Sequence, residues 1–270
     1  MAKKSVKAKE TQGDVVPSAI AARMFEAANE RKGFEGMGSG DYAIPFLKIL
    51  DKSSSSCIKA SDDYVDGAEP GMILDTVTKR LFPSDEGVLV IPCGFRSVTL
   101  EFESAEPNSG FCGEHPASSD IKAEAQLNDN GKMILPNGHC LVDANNHYIL
   151  QVDVDGGLGE TKIISMQGSQ LKTSRRWNSM MAGRKVELED GTRFVPPTFG
   201  VIYQLITSPQ SKDQYHWHGW EIFDHGLVET EALLEQAEDF AETIVAGFTG
   251  LAAPQAKLAG PVEEEDNTIV

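Results

Sequence analysis

The chain has 270 residues and a formal net charge of −17, set by 41 Asp and Glu against 24 Lys and Arg. That length allows a sizeable core in one large domain, and 25 Gly with 13 Pro favour strands and loops over helical bundles. The expected protein has no helical membrane span, since no apolar run approaches ~20 residues. It has no secretory leader, since no apolar segment follows the basic start, and no disulfide framework, since Cys57, Cys93, Cys112 and Cys140 form no Cys-x-x-Cys pair.

In chain order, residues 1–40 open as a basic arm, pass through a helical pattern from Pro17 to Arg31, and end in a Gly-rich joint from Gly33 to Gly40. Residues 41–228 follow as short strand-like pieces bounded by Gly, Pro, Asp or Ser: 44–50, 71–75, 87–92 and 96–103. In the last of these, Val98, Leu100 and Phe102 alternate with polar residues, as a half-buried strand requires. The polar stretch 108–138 carries a short helical piece near 121–127. Strands resume at 140–143, 147–153 and 161–165, and a helix is predicted over 168–183. Two more strands, 198–207 and 216–223, flank a polar turn at 208–213. A C-terminal helix within 229–250 precedes a Gly/Ala/Pro linker and an acidic tail over 251–270. No internal repeat is present. Many short strands with one inserted helix predict a mainly β (α+β) fold, a small and partly open β-barrel with an inserted basic helix and a C-terminal helix.

The charge is unevenly placed. Residues 221–270 hold twelve acidic residues against Lys257 alone, so the first 220 residues carry only −6 of the net −17. Between Glu160 and Glu187 there is no acidic residue, while Lys162, Lys172, Arg175, Arg176, Arg184 and Lys185 are all basic. On a helix, Lys172, Arg175 and Arg176 share an arc of about 100° while Trp177 and Met181 project elsewhere. A solvated surface helix would interleave carboxylates for i,i+4 pairing, and none is available here. A concentrated cationic face suits phosphate, whereas Trp177 is expected in the core.

Single-strand binding joins such a basic surface to aromatic faces on which bases stack. The strand-like pieces supply Phe95 and Phe102 beside Arg96, then Tyr148, Phe199 and Tyr203, and the run Tyr215-His216-Trp217-His218-Gly219-Trp220. Strand alternation sends Trp217 and Trp220 to opposite faces, so one is expected in the core and the other free. The candidate nucleic-acid contacts are the six basic residues above with Arg96, Phe95, Tyr148, Tyr203, Trp217 and Trp220.

Six segments carry a resemblance to bacteriophage single-stranded DNA-binding proteins: Ile-Pro-Phe-Leu-Lys-Ile-Leu at 44–50, Val-Leu-Val-Ile-Pro at 88–92, Phe-Cys-Gly-Glu-His at 111–115, Gln-Leu-Lys-Thr-Ser-Arg-Arg-Trp-Asn-Ser-Met-Met at 170–181, Pro-Pro-Thr-Phe at 196–199 and Trp-His-Gly-Trp at 217–220. Their order and spacing span about residues 44–228. The resemblance implies an OB-type barrel that coats exposed DNA during phage replication and recombination in the bacterial host cytoplasm. It extends to an acidic tail, here Glu263, Glu264, Glu265 and Asp266 followed by Ile269 and Val270. The tail is expected to compete with DNA for the basic face or to dock a replication or recombination partner. It departs from the bacterial form by lacking the Pro-Phe ending.

Other classes leave weaker marks. Cys112, His115, His139 and Cys140 have the residue types of a zinc site, but adjacent His139 and Cys140 point to opposite sides of a strand, so at most three ligands converge. Buried cysteines and hydrogen-bonded histidines are expected instead, with no metal or cofactor. A magnesium-dependent nuclease would use carboxylates such as Asp143, Asp153 and Asp155, or the histidines His216, His218 and His225. No motif links them, and there is no phosphate loop, nucleophile elbow or His-Glu-x-x-His, so the chain is not expected to be an enzyme. A protein-binding adaptor or DNA mimic, using the acidic C-terminal half, is the third reading.

Overall fold

The computed structural model describes Ile20, Arg23, Met24 and residues 44–106, 109–152, 159–212 and 214–247. The chain divides into Met1–Asp41 and Tyr42–Val270. In the first unit the three described residues are helical and exposed, inside the helix predicted from Pro17 to Arg31. The rest of the basic arm, Asp153, Asp155, Asp213, and the linker and acidic tail over 251–270 lie outside the described residues.

The second unit is mainly β, a curled and half-open antiparallel sheet of the OB-like kind. A small sheet holds β1 (Leu47–Ile49), β2 (Ile73–Asp75) and β3 (Leu81–Phe82) in that order. The main sheet runs β13 (Tyr215–Leu227), β12 (Val201–Lys212), β4 (Val88–Phe102), β8 (Cys140–Val152), β7 (Met133–Ile134) and β6 (Gln126–Leu127). In addition, β5 (Phe111–Pro116) pairs with β4, and β9 (Glu160–Gln167) with β8. A hairpin of β10 (Val186–Glu187) and β11 (Arg193–Phe194) stands apart from both sheets. The described helices of this unit are α1 (Ile121–Glu124), α2 (Gln170–Gly183) and α3 (Glu231–Val245).

The curl follows from how two long strands share their edges. Val88–Val90 of β4 pairs with β12, whereas Val98–Phe102 pairs with β5. Each partner covers one end of that edge, leaving Ile91–Ser97 without a strand on that side. Pro92, read from sequence as the end of a strand, therefore sits inside β4 where no partner on that edge needs its missing N–H, next to a bulge between Pro92 and Gly94. The two pieces expected at 87–92 and 96–103 are one strand.

The pieces expected at 140–143 and 147–153 also merge. Asn145 and Asn146 look like turn residues, but the amide of Asn145 donates to Ser174 Oγ (2.9 Å) and its Oδ1 accepts from Ser97 Oγ (2.8 Å). Asn146 donates to Glu114 Oε2 at 3.0 Å. With those bonds made inside the sheet, the backbone has no reason to turn. The polar segment 208–213 is likewise strand rather than turn up to Lys212, which pairs with Tyr215. Pro209 is tolerated because β12 meets β4 only at Tyr203–Leu205, so its other edge is open.

The sheet buries both faces where β4 and β8 cross. Val88, Val90 and Ile149 join Trp177, Tyr203, Leu205, Trp220 and Ile222 in the main core beneath α2. Ile91, Cys93, Leu150 and Val152 face the other way, against Leu233 and Ala237 of α3. Coverage on both sides explains why every residue from His147 to Val152 is buried rather than alternate ones. Gly94 admits α3 closely, since a Cβ there would lie 2.8 Å from Ile244 Cγ2. Arg96 donates to the backbone carbonyl of Ile244 at 2.6 Å, near the helix C-terminus, where carbonyls lack intrahelical partners.

Candidate functional site

Helix α2 buries one stripe, Ser174, Trp177 and Met181, at the i, i+3, i+7 spacing of a helix face. Trp177 is fully buried, stacked on His147 (centroids 4.6 Å) and edge-on to Tyr203 (5.7 Å). That places Trp177 in the core. Lys172, Arg175 and Arg176 are exposed on the opposite side, with Lys185 exposed just beyond the helix. None of these four forms an ion pair among the described residues.

Beside this face lies a cavity of about 320 Å³ between α2 and β13, lined on one side by Thr173, Arg176, Trp177 and Met180. Gln210, Trp220, Glu221, Ile222 and Phe223 complete it. β13 is the end strand of the sheet, so one of its edges faces α2 rather than another strand. The backbone N–H of Trp220 points along that edge and donates to Gln170 Oε1 at 3.0 Å. Ile222, two residues on, has the same phase and turns its N–H and C=O toward the cavity. Gly219 lets two amide side chains close over the strand, since a Cβ would fall 2.3 Å from Gln210 Nε2 and 2.7 Å from Gln170 Nε2 and displace both. Phe223 is 47% exposed and forms an open aromatic wall.

Several residues expected at a nucleic-acid surface are elsewhere. Lys162 is 2% exposed, with its ammonium 2.5 Å from Asp75 Oδ2 and 2.7 Å from Glu160 Oε2. Burial alone would raise the Asp75 carboxyl, but Lys162 and the N–H groups of Thr78 and Val77 outweigh it and hold the carboxyl below its ordinary value. Tyr148, Tyr203 and Trp220 are core residues: Tyr148 packs beneath α3 with Ile244, while Tyr203 and Trp220 lie on the sheet face that Trp177 of α2 covers. Burial pushes the Tyr148 phenol up to about 12. Arg184 is paired with Asp224 at 2.6 Å, and Arg96 is committed to α3. Phe95 remains exposed, its ring 5.1 Å from that of His147 on the sheet face that carries α2.

Trp217 is half-buried, unlike Trp220, and its indole N–H donates to Gln210 Oε1 at 3.0 Å, beside the cavity. Phe223 escaped the sequence reading although strand alternation gives its position: residues 217, 219, 221 and 223 share a face opposite Trp220 and Ile222.

Of the residues weighed for metal or catalysis, two histidines share one carboxylate and the others lie apart. His115 Nε2 and His139 Nδ1 converge on Glu101, at 2.7 Å and 2.6 Å from its two carboxylate oxygens. Those contacts, led by His139, hold the Glu101 carboxyl below its ordinary value. Cys140 is buried with its thiol toward Leu141 O, and Cys112 turns toward Gly110 O. Neither cysteine joins the histidines, and no group of three or more ligands able to hold a metal ion occurs among the described residues. Asp143 is paired with Lys122 at 2.5 Å. The His218 ring packs against Gly71, while His216 and His225 are exposed. No described helix is long and apolar enough to cross a membrane.

A family model described as Pam3 phage gp34-like protein matches residues 10–249. Neither the curated proteins nor the solved structures contain a match to the chain.

Proposed function

The chain belongs to the Pam3 phage gp34-like family, and we propose that it binds single-stranded DNA with little sequence preference, protecting and organising exposed DNA during phage replication and recombination. The observation that carries this reading is the exposed face of Lys172, Arg175 and Arg176, free of carboxylate partners among the described residues and set beside a groove with an open aromatic wall. Phosphates on the cationic face and bases against aromatic rings are the two halves of single-strand binding. In this reading the acidic tail, Glu263 to Asp266 with Ile269 and Val270, competes for the same cations at low salt or docks a phage replication partner.

Competition between an oligonucleotide and its duplex at fixed salt tests the proposal, and equal affinity for the two would sink it. Arg175→Ala with Arg176→Ala should weaken binding about equally on all sequences. The same double variant should lower the slope of log affinity against log salt by about 1–2, as each lost phosphate contact releases fewer counterions. Because both side chains are exposed, its urea midpoint should match that of the parent.

Trp217 should be the tryptophan that reports binding. Quenching by oligonucleotide is expected to survive Trp177→Phe and to fall in Trp217→Phe. Quenching lost with Trp177 alone would mean that bases reach the buried side of α2.

A further inference from the structure

The cavity between α2 and β13 holds a feature that a phosphate-tracking groove would avoid: the exposed carboxylate of Glu221 in its wall. An anion there repels phosphate, so a strand crossing the site must keep its backbone on Arg176 and turn a base inward. The volume, about 320 Å³, lies at the small end of ligand pockets and accommodates a single base with water. Phe223 offers a ring face for stacking. The lining also holds the Thr173 hydroxyl and the Gln210 amide, but Glu221 supplies its one carboxylate. The N–H of Ile222, which points off the open edge of β13 in the same phase as that of Trp220, offers a donor beside it. A carboxylate accepts two adjacent N–H groups at once. Of the four DNA bases, guanine alone presents two adjacent donors, N1–H and N2–H, next to an acceptor, O6, on one edge.

Resting on single-strand binding as the function, we infer that this cavity is a subsite for one unstacked guanine. Glu221 accepts N1–H and N2–H, Phe223 stacks, and Arg176 anchors the adjoining phosphate. Binding elsewhere along the basic face remains indifferent to sequence, so the chain would bind any strand and set its register on guanines.

The test uses the full-length chain and three 20-nucleotide probes: all-thymine, the same strand with one central guanine, and the same strand with hypoxanthine in that position. A bidentate contact is worth ~1–3 kcal/mol of base discrimination, so the guanine probe should bind about tenfold more tightly than the thymine probe. Hypoxanthine lacks the N2 amine and should fall between them. Glu221→Gln, at an exposed position that should not disturb folding, replaces one acceptor with a donor and should erase the guanine advantage while leaving thymine binding intact or tighter. Phe223→Ala should weaken the guanine probe more than the thymine probe. Equal affinities for the three probes, or a guanine preference that survives Glu221→Gln, would overturn the subsite while leaving single-strand binding in place. Failure of every probe to bind would instead remove the function on which the subsite rests.

Discussion

Replacing Lys162 with alanine should cost about 3–5 kcal/mol of folding stability, the usual result of stripping one partner from a buried ion pair. The ammonium is buried at 2% exposure between Asp75 Oδ2 at 2.5 Å and Glu160 Oε2 at 2.7 Å. Asp75 is equally enclosed and ends β2, where its other oxygen accepts the N–H groups of Val77 at 2.8 Å and Thr78 at 2.9 Å. The pair thus ties the turn after β2 to β9, next to the point where Ile163 N–H donates to Pro45 O at 2.9 Å. Removing the lysine leaves a desolvated carboxylate with only two backbone donors. The pair itself contributes much less than its rupture costs, since both charges give up water to form it. The double variant Lys162→Ala with Asp75→Ala should therefore recover much of the loss. Urea unfolding of the parent, both single variants and the double variant measures the coupling. If Lys162→Ala unfolds at the parent's midpoint yet binds oligonucleotide with a reduced salt slope, the lysine works at the surface and its placement in the core is wrong.

Lys162 also marks where sequence reasoning stops. A lysine in an acid-free stretch is indistinguishable on paper from Lys172, ten residues later; what separates them is Asp75, 87 positions away. Helix α2 was legible because its cues are local: the i, i+3, i+7 stripe, the clustered cations and the glycine at its end. Helix α3 was legible for the same reason, through Leu233, Ala237 and Ile244. The two long strands were read as broken because Pro92 and the Asn145-Asn146 pair carry local turn signals. Those signals are overruled by an unpaired edge in one case and by long-range side-chain bonds in the other. Aromatic residues were the least decidable. Tyr148 and Trp217 are both strand aromatics next to a histidine, and only the docking of α3 on one face and the open end of the sheet beside β13 decide which of them meets solvent.

Stability should fall as pH drops from about 6.5 toward 3, with His147 the dominant single cause. Its ring is fully buried between Phe95 and Trp177, and burial pushes its pKa down to about 3. Around it, Ser97 donates to Asn145 (2.8 Å), Asn145 donates to Ser174 (2.9 Å), and Ser174 Oγ lies 2.8 Å from His147 Nε2, so the ring has no carboxylate partner to offset the burial of a charge. The unfolded chain takes up that proton near pH 6.5 and the folded chain does not, so protonation favours unfolding throughout the window between the two values. Each pH unit within it costs up to about 1.4 kcal/mol, and the loss levels off once the folded ring also protonates near pH 3. His147→Gln preserves an acceptor for Ser174 without a titrating ring, so its stability should change less with pH, even if it is lower at pH 7. Urea unfolding at pH 7 and pH 4.5 should show the parent losing about 2–3 kcal/mol more than the variant. Asp75 and Glu101, whose carboxyls are held low, lose their contribution only as pH falls through the carboxylate range, and they do so in both proteins, so the comparison isolates the imidazole. Parallel losses in parent and variant would mean that the ring takes up its proton inside the folded core, with Ser174 turning to accept it.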